Sequence, residues 1–264
     1  MTQFRIGRFT CAVIDAGRVG PSSAADLCLN VPEHEAVDYV GGAEILAGMN
    51  CLMLRDGENV ILIDSGLGAF APDGPERLRA GLDAHGVSPE DVSMVLTSHT
   101  HRDHIGGHVM EGAPAFPRAR YLFSKVEWDH AAISSAEATQ SILPVLADAD
   151  VVEWLPSGEV LPGIEVIDAP GHTPGHVAFG ISDEGMRCLY LADSFLYPRH
   201  LERPELYSRY DWDGPMSVET RKKLIGRAAA ERATVVVYHL DAPGLGTIEE
   251  ADRIYRWVPT IPPA

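Results

Sequence analysis

Val92-Ser93-Met94-Val95-Leu96-Thr97-Ser98-His99-Thr100-His101-Arg102-Asp103-His104 is the stretch on which the fold turns. Its first half is short and mostly apolar, the pattern of a buried strand. Its second half is a dense run of histidine and aspartate that follows the strand without a break. The histidines therefore stand on a loop at the carboxyl end of a strand, where a rigid scaffold displays chemistry. Imidazole nitrogen and carboxylate oxygen are both good metal ligands. On an irregular loop His99 and His101 can converge on one ion, while Asp103 and His104 turn toward a second. Two ions about 3.5–4 Å apart are a recurrent hydrolytic arrangement. A histidine-rich surface turn is the bland competitor, and the preceding buried strand argues against it.

Three further strand ends present ligand types. Pro170-Gly171-His172-Thr173-Pro174-Gly175-His176 is a tight Gly/Pro turn after a strand ending at Asp168, Asp193 follows Leu191-Ala192, and His239 follows Tyr238. Upstream, Asn50–Leu54 and Val60–Asp64 read as strands around the turn Arg55-Asp56-Gly57-Glu58. A helix opens near Pro75, carries Leu78 and Leu82 on one face and ends at Gly86. Strands are expected at Ala119–Phe123, near Val151 and Val160, and at Ile164–Ile167, His176–Ile181, Arg187–Leu191 and Thr234–Tyr238. Helices are expected at Ser124–Ala131, at Ala136–Leu146 and from an N-cap at Ser217. Ala16–Gly42 lacks periodicity and reads as a long loop, a type that is often functional. With no repeat or linker, residues 1–264 are expected to form a single α/β domain with helices packed outside two sheets.

The chain has 264 residues and a formal net charge of −17. Such an acidic surface repels phosphate backbones and anionic lipids, so neither nucleic acid nor a membrane is the expected partner. No apolar run approaches a membrane span, and Met1–Thr10 lacks the apolar core of a secretory signal, so the cytoplasm is the expected compartment. Cys11, Cys28, Cys51 and Cys188 form no C-x-x-C pair and read as buried apolar residues. Homodimerisation is left open.

The His-x-His-x-Asp-His run, the Pro-Gly-His-Thr-x-Gly-His turn and the strand-end Asp193 and His239 resemble, in type and order, the metallo-β-lactamase superfamily. Leu62-Ile63-Asp64-Ser65-Gly66-Leu67-Gly68 is similar to its first motif. The resemblance implies an αββα sandwich of two similar halves with a dinuclear metal site at one edge. It implies that His99, His101 and His172 hold one ion, that Asp103, His104 and His239 hold the other, and that Asp193 bridges them. Asp64 would stand behind the ligands and orient them by hydrogen bonding. The cofactor implied is two divalent ions per chain, zinc first, with manganese, cobalt or iron as alternatives. Flavodiiron members carry an acid where this chain has His101, which favours hydrolysis over redox chemistry.

Glu127-Trp128-Asp129, Tyr197-Pro198 after Asp193, and the tail from His239 to Gly246 resemble the branch of methyl parathion hydrolase and related lactonases. That branch implies a metal-activated hydroxide attacking a small neutral lactone or carboxylic ester, with side activity on organophosphate triesters. A β-lactamase and a glyoxalase- or dioxygenase-like member are the alternatives. Departures are Tyr197 where many relatives have His, Asp241 where an apolar residue is usual, and Leu196 where acyl-homoserine lactonases carry Tyr. The resemblance implies that Asp103 accepts the proton of the attacking water or steers the hydroxide. Tyr197 is expected at the pocket rim, as an oxyanion donor or a plain wall. His34, His85, His108, His130, His176 and His200 are read as structural or surface residues, with a packing or orienting role open to His176 and reach into the pocket to His200. Tyr207, Tyr210 and Trp212 are read as core or interface residues that could line a cleft.

Overall fold

The computed structural model describes residues 2–57, 59–251 and 254–260; Glu58 of the expected turn lies outside them. Along the first half run β1 (Thr2–Ile6), β2 (Phe9–Ser23), α1 (Ala24–Leu27), α2 (Glu33–Val40), β3 (Glu44–Asp56), β4 (Asn59–Ile63), α3 (Gly74–Asp83), β5 (Met94–Leu96), α4 (Arg102–Ile105), the small ribbon β6 (Val109–Met110) and β7 (Ala113–Pro114), β8 (Arg120–Phe123), α5 (Lys125–Ala132), α6 (Glu137–Asp148) and β9 (Val152–Trp154). The second half holds β10 (Glu159–Leu161), β11 (Ile164–Asp168), β12 (Val177–Asp183), β13 (Met186–Tyr190), α7 (Gly214–Glu231), β14 (Thr234–Val236), β15 (Leu245–Ala251) and β16 (Ile254–Pro259). Two mixed seven-stranded sheets result, ordered β1-β2-β3-β4-β5-β8-β9 and β10-β11-β12-β13-β14-β15-β16. The pairs β4–β5, β5–β8, β8–β9 and β13–β14 are parallel.

Strand periodicity shows how the layers stack. Val236 and Tyr238 join Leu52, Ile63, Val95 and Phe179 in the core between the sheets, while Val235 and Val237 turn the other way. There they meet Leu224, Ile225 and Ala228 of α7. Cys188 and Tyr190 against Leu189 and Leu191 repeat the alternation on β13. A strand apolar on both faces is what a sheet covered on both sides requires. Helices thus flank two facing sheets, as the sequence led us to expect. Among the described residues no helix is long and apolar enough to cross a membrane.

Two expectations need correction. Ala16–Gly42 is not a plain loop: β2 continues to Ser23, followed by α1 and α2. Register shifts between Asp15 and Arg18 and between Val19 and Ser22 break the strand's alternation, with Gly17 and Gly20 at positive φ, so no period of two is visible. The last helix begins at Gly214, capped by Asp213, whose carboxylate accepts from Met216 N at 2.9 Å. Pro215 sits in its first turn, where a missing N–H costs nothing, and Ser217 is buried inside the helix.

Candidate metal centre

The strand-end loops meet at one edge of the sandwich. His99, His101, His172 and Asp193 form one group of converging ligand atoms, and Asp103, His104 and His239 form another beside it. His99, His104, His172, Asp193 and His239 are buried; His101 and Asp103 are half-buried and face a cavity of about 580 Å³.

Three of the rings are aimed from behind. Asp64 Oδ2 accepts from His104 Nδ1 at 2.8 Å, Gly48 O from His239 Nδ1 at 2.8 Å, and Asp211 Oδ1 from His172 Nδ1 at 3.0 Å. A proton held on Nδ1 leaves the lone pair on Nε2, and all three Nε2 atoms point at Asp193. His104 Nε2 lies 3.0 Å from Asp193 Oδ1; His172 Nε2 and His239 Nε2 each lie 3.1 Å from Oδ2. His104 Nε2 and Asp193 Oδ1 are buried without a hydrogen-bond partner, two acceptors face to face.

Only cations can fill that convergence of lone pairs. Protons fill it only in part: against the effect of burial, Asp193 raises His104 well above the usual imidazole range and raises His239 as well. Burial would push the Asp193 carboxyl up, yet His239, His104, His172 and His99 hold it well below the usual carboxylate range. Burial lowers His172, but Asp193 and Asp211 outweigh it and lift the ring to about 9. Burial, and then His172, push the adjacent His101 down to about 4. The two neighbouring rings are thus driven in opposite directions. The spacing suits metal ions better: His101 Nδ1 is 3.0 Å from both His99 Nε2 and His172 Nε2, and Asp193 Oδ2 is 3.1 Å from His172 Nε2 and 3.8 Å from His99 Nε2. A tetrahedron with ligands at about 2.0–2.1 Å has edges of about 3.3 Å.

The frame behind the ligands is polar and buried. Asp64 sits at φ 60, where Asp is tolerated, so it both turns the chain and accepts from Ser98 N, Ser98 Oγ and Tyr190 Oη. Glu127 clamps two ligand loops together: Oε1 accepts from Thr100 N and Oγ1 at 2.9 and 2.8 Å, and Oε2 from Thr173 Oγ1 and Gly175 N at 2.6 and 3.1 Å. His176 donates from Nδ1 to Ala169 O and accepts from Asp193 N on Nε2, fixing the backbone of the central carboxylate. Tyr238 Oη donates to Asp103 O. Asn50 Nδ2 donates to Tyr238 O and Leu240 O, holding the His239 turn.

Sequence reasoning missed Asp211, Asn50 and the clamp role of Glu127. Only a polar residue inside an apolar strand signalled Asn50, and Asp211 had no local signal. Tyr197 is not at the rim. Its ring is buried against His200, centroids 3.8 Å apart, and its hydroxyl meets Cys28 Sγ at 3.0 Å. The chain is extended on either side, at Phe195 and at Tyr197, so successive side chains alternate; Leu196 takes the cavity wall and Tyr197 faces away. His200 is buried with Tyr197 and does not reach the cavity. His130 and Tyr210 do line it, as do Val19, Leu27, Ile45 and Phe70.

A two-sheet α/β sandwich that gathers histidines and aspartates from strand ends at one edge defines a class of metal-site proteins. A profile of the metallo-beta-lactamase superfamily matches residues 48–235, and the chain belongs to that superfamily. An N-acyl homoserine lactonase of a Bacillus species is 30% identical over 153 residues, 51% of this chain and 58% of that protein. A hydroxyacylglutathione hydrolase of Synechococcus is 32% identical over 132 residues, 48% of this chain and 41% of that one. The chain thus spans little more than half the length of the curated lactonases it matches. Among solved structures, AidC, a dizinc quorum-quenching lactonase in complex with a product, superposes with a TM-score of 0.88 at 24% identity, over 98% of this chain and 97% of that one. AbOPH, a hydrolase in the beta lactamase superfamily, gives the same values. At these identities the likeness is one of fold.

Proposed function

We propose that this chain is a dizinc hydrolase of small neutral lactones or carboxylic esters. The observation that carries it is the convergence of imidazole lone pairs on Asp193 at the floor of a cavity with an apolar side. His99, His101 and His172 would hold one zinc, Asp103, His104 and His239 the other, with Asp193 between them. A donor set of nitrogen and oxygen without thiolate suits zinc, and equally admits manganese, cobalt or iron. When bound, such ions supply Lewis-acid polarisation of a carbonyl and acidify water near neutral pH.

The chain's own groups do the rest. Asp103 lies half-buried on the cavity wall and would accept the proton of the attacking water. Leu27, Ile45, Phe70 and Leu196 would seat the apolar part of the substrate and exclude bulk water. Asp64, Glu127 and His176 keep the ligand loops in place, so little reorganisation accompanies the reaction. The names of the lactonase relatives support this substrate class, and the net charge of −17 disfavours polyanions.

Zinc-loaded protein should be offered a lactone, an aryl ester, a β-lactam, a phosphotriester and RNA. Fast turnover of the lactone or ester, with slow phosphotriester cleavage and none of RNA, is expected. Efficient β-lactam or RNA hydrolysis with no turnover of lactone or ester would overturn the proposal.

A further inference from the structure

Asp211 lies outside every motif that carries the metal site, yet its buried carboxylate is fully engaged. Oδ1 accepts from His172 Nδ1 at 3.0 Å and from Ser217 Oγ at 3.1 Å; Oδ2 accepts from Ser208 N at 2.8 Å and Ser208 Oγ at 3.1 Å. The two backbones are also tied, Trp212 N to His172 O at 3.0 Å and Asp213 N to Gly171 O at 2.9 Å. Gly171, at φ 132, permits this approach: a Cβ there would stand 2.3 Å from Ser217 N.

Arg221 holds the chain on either side of this segment. It is fully buried, no carboxylate among the described residues touches it, and its guanidinium donates to Ser194 O at 2.7 Å, Pro204 O at 2.9 Å and Leu206 O at 2.5 Å, and to Ser217 Oγ at 3.4 Å. Ser194 adjoins Asp193. Tyr210, next to Asp211, lines the cavity and shares a hydrogen bond with Ser22 of β2 at 3.2 Å.

We infer that Asp211 is the positioning residue of the first metal ion: it fixes the His172 tautomer with Nε2 toward the ion and ties that ligand to the 208–213 segment of the cavity wall. A carboxylate behind a ligating imidazole orients the ring and raises its basicity, and loss of such a partner costs about 10–100-fold in metal affinity. Because Tyr210 rides on the same segment, removing metal should loosen the wall as well as the ligand.

This inference rests on the two-ion reading, and its test separates the two. Zinc affinities of the full chain are measured by chelator competition for wild type, Asp211→Asn, Asp211→Glu and Ser208→Ala. The cobalt-loaded proteins are compared by visible absorption. Amide exchange across 208–213 is followed with and without zinc. Asp211→Asn should weaken one ion about 10–100-fold, leave the other unchanged and alter the cobalt spectrum. Asp211→Glu should recover part of the affinity, and Ser208→Ala should stay close to wild type. Zinc should slow exchange across 208–213 in wild type and less so in Asp211→Asn. If wild type binds two ions and Asp211→Asn matches it in affinity and spectrum, Asp211 has no such role. If wild type binds no metal, the two-ion reading fails, and this one with it. Should Asp211→Asn not fold, nitrogen NMR of the zinc-loaded wild type decides: a proton on His172 Nδ1 supports the inference, and metal on Nδ1 overturns it.

Discussion

Asp64 and His104 stand forty positions apart in sequence and 2.8 Å apart in space, with Asp64 Oδ2 accepting from His104 Nδ1 in a fully buried contact. That hydrogen bond is the shorter of two contacts at His104 Nδ1, Ser98 Oγ lying at 3.3 Å, and it favours Nε2 toward Asp193. Asp64→Asn, which tolerates the same φ of 60, should therefore lower metal affinity about 10–100-fold. Chelator competition on the purified variant measures this; an unchanged affinity would mean that the ring is aimed by something else.

Tyr197→Phe should be catalytically silent. Its hydroxyl contacts Cys28 Sγ and nothing in the cavity. Stability should fall by about 1 kcal/mol, the usual net value of a hydrogen bond, while kcat stays within about twofold, since a bond to the transition state worth about 1.4 kcal/mol would cost tenfold. Urea denaturation and steady-state kinetics on the same preparation separate the two effects. A tenfold loss of kcat at constant metal content would return the phenol to the reaction.

The converging histidines and aspartates were legible because each lies next to a strand end inside a short motif, so local pattern and tertiary position coincide. The layers were legible from runs such as Val235-Val236-Val237, apolar on both faces. What escaped detection depended on long-range placement. Asp211 meets His172 only because the loop before α7 folds back over the Gly171 turn. β2 was hidden by its bulges, which erase the period of two on which strand recognition depends. Tyr197 was misplaced because distance along the chain from Asp193 does not say which side of an extended backbone a ring takes.

Glu127→Gln should loosen both ligand loops. All four contacts of the carboxylate are accepted hydrogen bonds, and an amide must turn an NH2 toward two of the donors. A loss of about 2–3 kcal/mol is expected, in line with hydrogen bonds to a buried charge. Denaturant midpoints measure it, and a loss below about 0.5 kcal/mol would show that the clamp contributes little.

Acid should destabilise the fold through buried neutral histidines. Burial holds His108 down at about 3, between Ser65 Oγ and Thr97 Oγ1. An unfolded histidine titrates near 6.5, so the unfolded state takes up a proton that the native state refuses. Stability is complete above about pH 6.5 and is lost as pH falls toward 3, by about 2 kcal/mol from this residue at pH 5. Comparing urea midpoints at pH 7 and pH 5 for wild type and His108→Gln tests the sign: the variant should lose less than wild type over that interval. An equal loss would assign the acid sensitivity elsewhere.

The most direct measurement is metal stoichiometry. Protein stripped with chelator, reconstituted with zinc and freed of excess should be analysed by elemental mass spectrometry alongside Asp193→Ala. Two equivalents per wild-type chain are expected, and well under one for Asp193→Ala, because its carboxylate faces both groups of ligands. An active wild-type chain saturated by a single ion, or an Asp193→Ala chain that keeps two, would contradict the dinuclear site.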